Sequence, residues 1–154
     1  MLTAIALDYG ELPLTLIQED LEDRIHQRRD ALEVRFLFRQ RPALLPIWHE
    51  GLLRLVPWGN RREESGFLPC TGWTRTASIE QGLWAESNAI EVEIPATLGD
   101  DNGVWFRIRQ GIRGLLVVDE TGQERVFVIC QPASHYYEVM TRSEWMPCLI
   151  EEWI

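Results

Sequence analysis

Lysine is absent from these 154 residues: all fifteen basic side chains are Arg, against 24 Asp and Glu. The net charge of −9 excludes a surface broadly clad in DNA-binding cations. A gene of biased base composition is enough to account for the missing lysine. The functional reading is that Arg grips phosphates bidentately and stacks on bases, which leaves room for a local Arg patch. Long apolar runs are also lacking, so no segment reads as a membrane span. No basic residue precedes the short apolar stretch in "MLTAIALDYGELPLT". It does not read as a signal peptide, and the expected location is the cytoplasm.

Cysteine is scarce and odd in number. Cys70, Cys130 and Cys148 are widely spaced and fit reduced core thiols better than a disulfide frame. There is no Cys-x-x-Cys for a zinc site, no Gly-rich phosphate loop and no nucleophile elbow. No cofactor or metal is expected.

What the chain does have is a globular composition, 45% hydrophobic with seven Trp. Its length suits one domain over residues 1–154. A chain of this size buries about 70% of its unfolded surface, so its core needs no staple. "LTLIQEDLEDRIHQRRDA" carries apolar residues at mostly helical spacing, with acids early and bases late. "LEVRFLF" alternates as a half-buried strand. "RPALLPIWHEG" and "LLRLVPW" read as a hairpin around His49-Glu50-Gly51, and "GNRREESGFLPCTG" as a loop. "TASIEQGLWAESN" predicts a short helix with Ser78 as its cap. "AIEVEIPA", "GVWFRIR", "IRGLLVV" and "RVFVICQ" predict strands, with "DETGQE" a turn and "SHYYEVM" one helical turn. The fold class is α+β, mainly β: a barrel-like antiparallel core with a few flanking helices.

His49-Glu50, Asp100-Asp101 and His135 are the residues to inspect for acid–base work. A His in a hairpin turn is more often solvated than catalytic. Asp100-Asp101-Asn102-Gly103 reads first as turn chemistry, because Asp and Asn bond their own backbone and Gly takes positive φ. The sharper reading, paired carboxylates with a raised pKa or a bound cation, lacks flanking acids at ligand spacing. Cys130 ends an apolar strand and reads as an inert buried thiol rather than as a metal or thiolate partner of His135. In "GVWFRIRQGIR", period-2 alternation puts Val104, Phe106 and Ile108 on one face and Trp105, Arg107 and Arg109 on the other. A Trp beside two Arg is a small platform for bases and phosphates, and Arg75 and Arg61-Arg62 extend it. The ordinary alternative is Arg stems covering a half-buried Trp.

The order of segments carries a resemblance. "RFLFRQRPALLPIWHEGLLRLVPWG" runs from an extended segment through a hairpin to Trp-Gly. "IEVEIPATLGDDNGVWFRI" is a strand ending in Pro-Ala, a turn and a strand. "IRGLLVVDETGQERVFVICQPAS" is a hairpin, and "VMTRSEWMPCLI" ends in Met-Pro and an apolar pair. This series, over residues 35 to 154, resembles the SOS-response-associated peptidase family. That resemblance implies a bacterial or phage-related protein of the DNA damage response. It also implies a covalent link to abasic sites in single-stranded DNA, made by an N-terminal Cys and supported by an Asn, a Glu and a His. Position 2 here is Leu2, so the nucleophile is missing. The family's Glu falls near Asp101, and its His falls on Ser143, which cannot act as an acid or base near neutral pH. The Asn has no secure match near Gly72 and Trp73.

Three readings follow. The first is a non-catalytic relative that binds single-stranded DNA weakly, or a DNA-repair partner, through Trp105, Arg107, Arg109 and Arg75. The second is an enzyme with a relocated site at Asp101, His135 or Cys70. The third is a structural or oligomer-forming protein. No membrane partner is expected.

Overall fold

The computed structural model describes residues 1–13, Leu16 and 21–152. Within them lie strands β1 (Leu2–Asp8), β2 (Ile25–Arg28), β3 (Ala31–Leu37), β4 (Leu44–His49), β5 (Leu52–Pro57) and β6 (Trp73–Arg75). They continue with β7 (Ile90–Pro95), β8 (Leu98–Asp101), β9 (Val104–Arg107), β10 (Gly111–Val118), β11 (Glu124–Pro132) and β12 (Trp145–Pro147). Helices α1 (Thr76–Glu80) and α2 (His135–Thr141) also lie among the described residues. No helix among the described residues is long and apolar enough to cross a membrane.

The fold is mainly β, as expected, but it is built from two open sheets rather than a barrel. One has the order β2-β3-β1-β8-β9; the other runs β12-β11-β10-β7-β4-β5, with β6 parallel to β11. The sheets meet through side chains, not through shared ladders. Leu2, Ile5, Val34, Phe36 and Phe106 of the first share one core with Leu45, Ile47, Ile94, Ile112 and Val128 of the second. Closure fails because the smaller sheet ends in four-residue edge strands, β2 and β9, which offer few pairing groups.

The alternation in "LEVRFLF" holds in part: Val34 and Phe36 are buried and Arg35 points out, but Leu32 is exposed and Glu33 is buried, held by Arg28 and Arg35. The predicted hairpin is β4–β5, pairing His49 with Leu52, and its turn residues Glu50 and Gly51 both have positive φ. The helix expected over residues 14–31 falls mostly outside the described residues. Leu16 within it is helical, but from Glu22 on it is replaced by a 3₁₀ turn at Glu22–Arg24 and by β2. Pairing of Ile25–Arg28 with Val34–Ala31 wins there over local helical spacing. Ser78 does not cap α1; Arg75 occupies the cap position, without a side-chain bond. Ser134 does cap α2, accepting from the Tyr137 N–H at 3.2 Å.

An aromatic trio holds β1 against the larger sheet. Phe38, Trp58 and Trp73 pack ring on ring with centroids 4.8–6.3 Å apart. The Trp58 indole donates to the Gly72 carbonyl, and the Trp73 indole donates to Leu2 O at 2.8 Å. Gly72 is required here, because a Cβ would lie 2.7 Å from the Phe38 ring and 2.9 Å from the Trp58 nitrogen.

The "DETGQE" turn is real and is organised by the buried Asp119. One carboxylate oxygen accepts from the Thr121 N–H, the Thr121 hydroxyl and the Gln123 N–H; the other accepts from Arg125. Burial pushes this carboxyl up, but these donors outweigh it and bring it from 3.8 down to about 2. A depressed folded pKa contributes stability above the unfolded value, and that stability is lost as pH falls through about 2. Asp119→Asn should therefore cost about 2 kcal/mol at pH 7. Urea melts at neutral pH and near the lower pKa check this: the gap between wild type and variant should shrink on acidification, and a gap that does not depend on pH contradicts it.

Candidate functional site

β8 carries Asp101 to the end of the smaller sheet, where it pairs with Leu2 across β1 and with Val104 across β9. The tight turn that follows uses Asn102 and Gly103, both at positive φ, and the Asp100 carboxylate accepts from the Gly103 N–H. The turn reading thus holds for Asp100, but Asp101 is the last residue of a strand and its side chain is fully buried.

Three groups converge on that carboxylate. The Tyr137 hydroxyl donates to one oxygen at 2.6 Å, and the Ser143 hydroxyl donates to the other, also at 2.6 Å. The Met1 ammonium lies 3.2 Å from the oxygen that Ser143 occupies, and it donates to Ser143 Oγ at 3.1 Å. The Asn102 amide donates to the Thr141 carbonyl and to Ser143 Oγ, closing the cluster from the side. Tyr137 comes from α2, whose C-terminus is stopped by Arg142 in the left-handed conformation. That reversal turns Ser143 back toward Asp101. Burial first, and then the bond to Asp101, push the Tyr137 hydroxyl far up, so it stays a donor.

The two weak catalytic candidates, Asp101 and Ser143, are therefore in direct contact. The sequence signals for Tyr137 and Asn102 were slight, since a Tyr in a short helix and an Asn before Gly have commoner roles. Chemically, the arrangement is a satisfied polar knot. A serine bound to a carboxylate, with no imidazole to relay its proton, is poorly equipped as a nucleophile. His135 and Cys70 are exposed and are not bonded to this cluster. Among the described residues, no group of His, Cys, Asp and Glu is placed to hold a metal.

The other candidates divide between the two sheets. Trp105 and Arg107 share the outer face of β9, and Phe106 is buried beneath, as the period-2 pattern predicts. Two further guanidinium groups, Arg28 at 4.8 Å and Arg35 at 5.3 Å, lie over the Trp105 ring. Both also bind Glu33, at 2.7 Å each. The β1 residues of this face are Ala4 and Ala6, whose small side chains let Trp105 and Arg35 close over the strand. Arg109 lies past the strand, and its N–H donates to Glu152. Arg75 sits instead on the larger sheet, stacked 3.9 Å over Trp145. It joins Trp145, two residues from Ser143, rather than the Trp105 platform. Arg61 lies over Phe38, separate from both.

All three cysteines are free. Cys130 and Cys148 are buried, but Cys70 is exposed, against the expectation of three core thiols. It sits in the irregular loop between β5 and β6, where no sheet covers it. Burial, with a smaller contribution from Cys148, pushes the Cys130 thiol up to about 12. In native protein at neutral pH, a disulfide reagent should modify Cys70 alone; denaturation without reductant should expose all three thiols. A final count of one would reveal a disulfide.

Tyr137→Phe leaves Asp101 one donor short in a buried setting and should cost about 1–3 kcal/mol. Tyr136→Phe, one residue away but exposed, should change stability little. Chemical denaturation of the two variants checks this; equal stabilities would mean the Tyr137–Asp101 bond contributes nothing.

In comparisons with protein-family models, curated proteins and solved structures, the chain matches none.

Proposed function

We propose that this chain is a non-catalytic relative of the abasic-DNA-processing family that binds single-stranded DNA weakly on the outer face of its smaller sheet. The observation that carries the family reading is the 2.6 Å bond between Ser143 and Asp101. The resemblance assigns the family's His and Glu to these two positions, which are 42 residues apart in the chain. A common scaffold accounts for their meeting in one buried cluster. The catalytic groups have changed: Ser replaces the imidazole, Asp replaces the longer Glu, and Leu2 stands where a thiol is required. With both Asp101 oxygens engaged, the cluster ties segments of the fold together.

The DNA reading rests on Trp105, half-buried under Arg28 and Arg35, with the exposed Arg107 on the same sheet face; a base stacks on this ring by displacing a guanidinium. Stacking of one base on an aromatic contributes about 1–3 kcal/mol. Glu33 offsets Arg28 and Arg35, and the net charge of −9 opposes approach, so affinity should be low and should fall as salt rises.

Fluorescence anisotropy with a labelled oligonucleotide at low salt is the test. Wild-type protein should bind, and the double variant Arg107→Glu/Arg109→Glu should not, with its circular dichroism unchanged. No binding by wild type, or equal binding by the variant, removes the DNA reading. In parallel, incubation with abasic single-stranded DNA followed by mass spectrometry should yield no stable adduct. An adduct on the first residues would overturn the non-catalytic assignment.

A further inference from the structure

The outer face of the larger sheet is covered at one end, where Leu68 and Trp84 pack on Leu115, Val117 and Phe127. Its other end is open and forms a cleft of ≈ 510 Å³. Trp48, Glu93 and Arg113 lie in one row across β4, β7 and β10 and form its floor. Glu50, Glu91 and Glu151 stand around them. Four carboxylates thus face one guanidinium and the His49 imidazole, which lies 3.8 Å from Glu50, and Arg113 is already bound to Glu91. Glu93 takes only the Gln110 amide, and among the described residues neither Glu93 nor Glu151 has a cationic partner. All fifteen Arg are among the described residues, so the chain holds no further guanidinium to fill the gap.

Trp48 is also exceptional among the described tryptophans. Trp105 and Trp145 are covered by guanidinium groups, and Trp58, Trp73 and Trp84 are packed against other rings. Trp48 has neither kind of partner among the described residues, and it is 41% exposed. Elsewhere this protein covers its accessible indoles with its own cations. An uncovered indole in a concave site beside unpaired carboxylates complements a cation from outside, through the ring quadrupole and direct charge attraction together.

We propose that the Trp48 cleft binds an organic cation, an ammonium or guanidinium group seated on the indole and neutralised by Glu93 and Glu151. The site repels phosphate, so this inference does not rest on the DNA reading. The cation has two sources to distinguish: a free amine, or a basic side chain of another polypeptide.

The test is a titration of the ¹⁵N-labelled full chain, following indole N–H signals by NMR, with the Trp48 signal assigned as the one missing in Trp48→Phe. The probes are tetramethylammonium chloride, the tripeptide acetyl-Gly-Arg-Gly-amide, and neutral neopentyl alcohol, all at matched ionic strength. The Trp48 signal should shift saturably with both cations and not with the alcohol. Glu93→Gln/Glu151→Gln alters one half-buried and one exposed group, neither of them ion-paired among the described residues, and should weaken cation binding about fivefold, the scale of a surface cation–π or charge contact. A tighter fit for the tripeptide assigns the source to a polypeptide; parity assigns it to free amines. No shift at about 100 mM cation, a equal response to the alcohol, or unchanged affinity in the double variant would overturn the proposal.

Discussion

A single buried carboxylate, Asp101, ties Met1 at the head of β1 to α2 and the segment that follows it. Asp101 has no access to water, and an ionised carboxylate in that position must be met by donors or it becomes prohibitively unfavourable. The donors come from the start of the chain, from α2 and from the segment after α2. Satisfying one side chain thereby sets where β1 begins, how α2 lies and where Ser143 turns. Partial satisfaction would be worse than none, since a half-paired buried network leaves its remaining polar groups desolvated. The aromatic trio supports the same end of β1, because the Trp73 indole holds the Leu2 carbonyl.

Arginine does the work of both charge and cover. Arg28 and Arg35 neutralise Glu33 and also lie over Trp105, so a buried acid and a half-buried ring are served by the same two stems. Arg75 shelters Trp145, Arg61 lies over Phe38, and Arg125 joins Asp119 to the Gly59 carbonyl. A planar guanidinium can stack and bond at once, which a lysine ammonium cannot. The absence of lysine therefore leaves the surface of this protein more tightly tied than its net charge suggests. It also makes Trp48 conspicuous, since no guanidinium among the described residues covers its indole.

Much of the architecture was legible in the amino-acid order. Alternation over Val34–Phe36 and Val104–Arg107 identified strands and their buried faces, though not at Leu32 and Glu33, and the Glu50-Gly51 turn and the "DETGQE" turn marked hairpins. These features follow from local rules: side chains alternate across a strand, and Gly or a polar residue accepts positive φ. The misreadings arose where local preference met distant pairing. The Ile25–Arg28 stretch has helical spacing, yet it is strand because β3 offers it a ladder. Asp101 sits among turn formers, yet it is buried because its partners lie in segments far along the chain.

The sequence by itself determined the mainly-β class of the fold, most strands and turns and the outward set of Trp105 and Arg107, since these depend on neighbours within a few residues. Tertiary structure alone decided that Asp101 meets Tyr137 and Ser143, that Arg75 covers Trp145 rather than joining Trp105, and that Trp48 has no covering guanidinium among the described residues. Those outcomes depend on how two sheets are stacked and which edges meet, and no local spacing encodes a contact between residues forty or seventy positions apart.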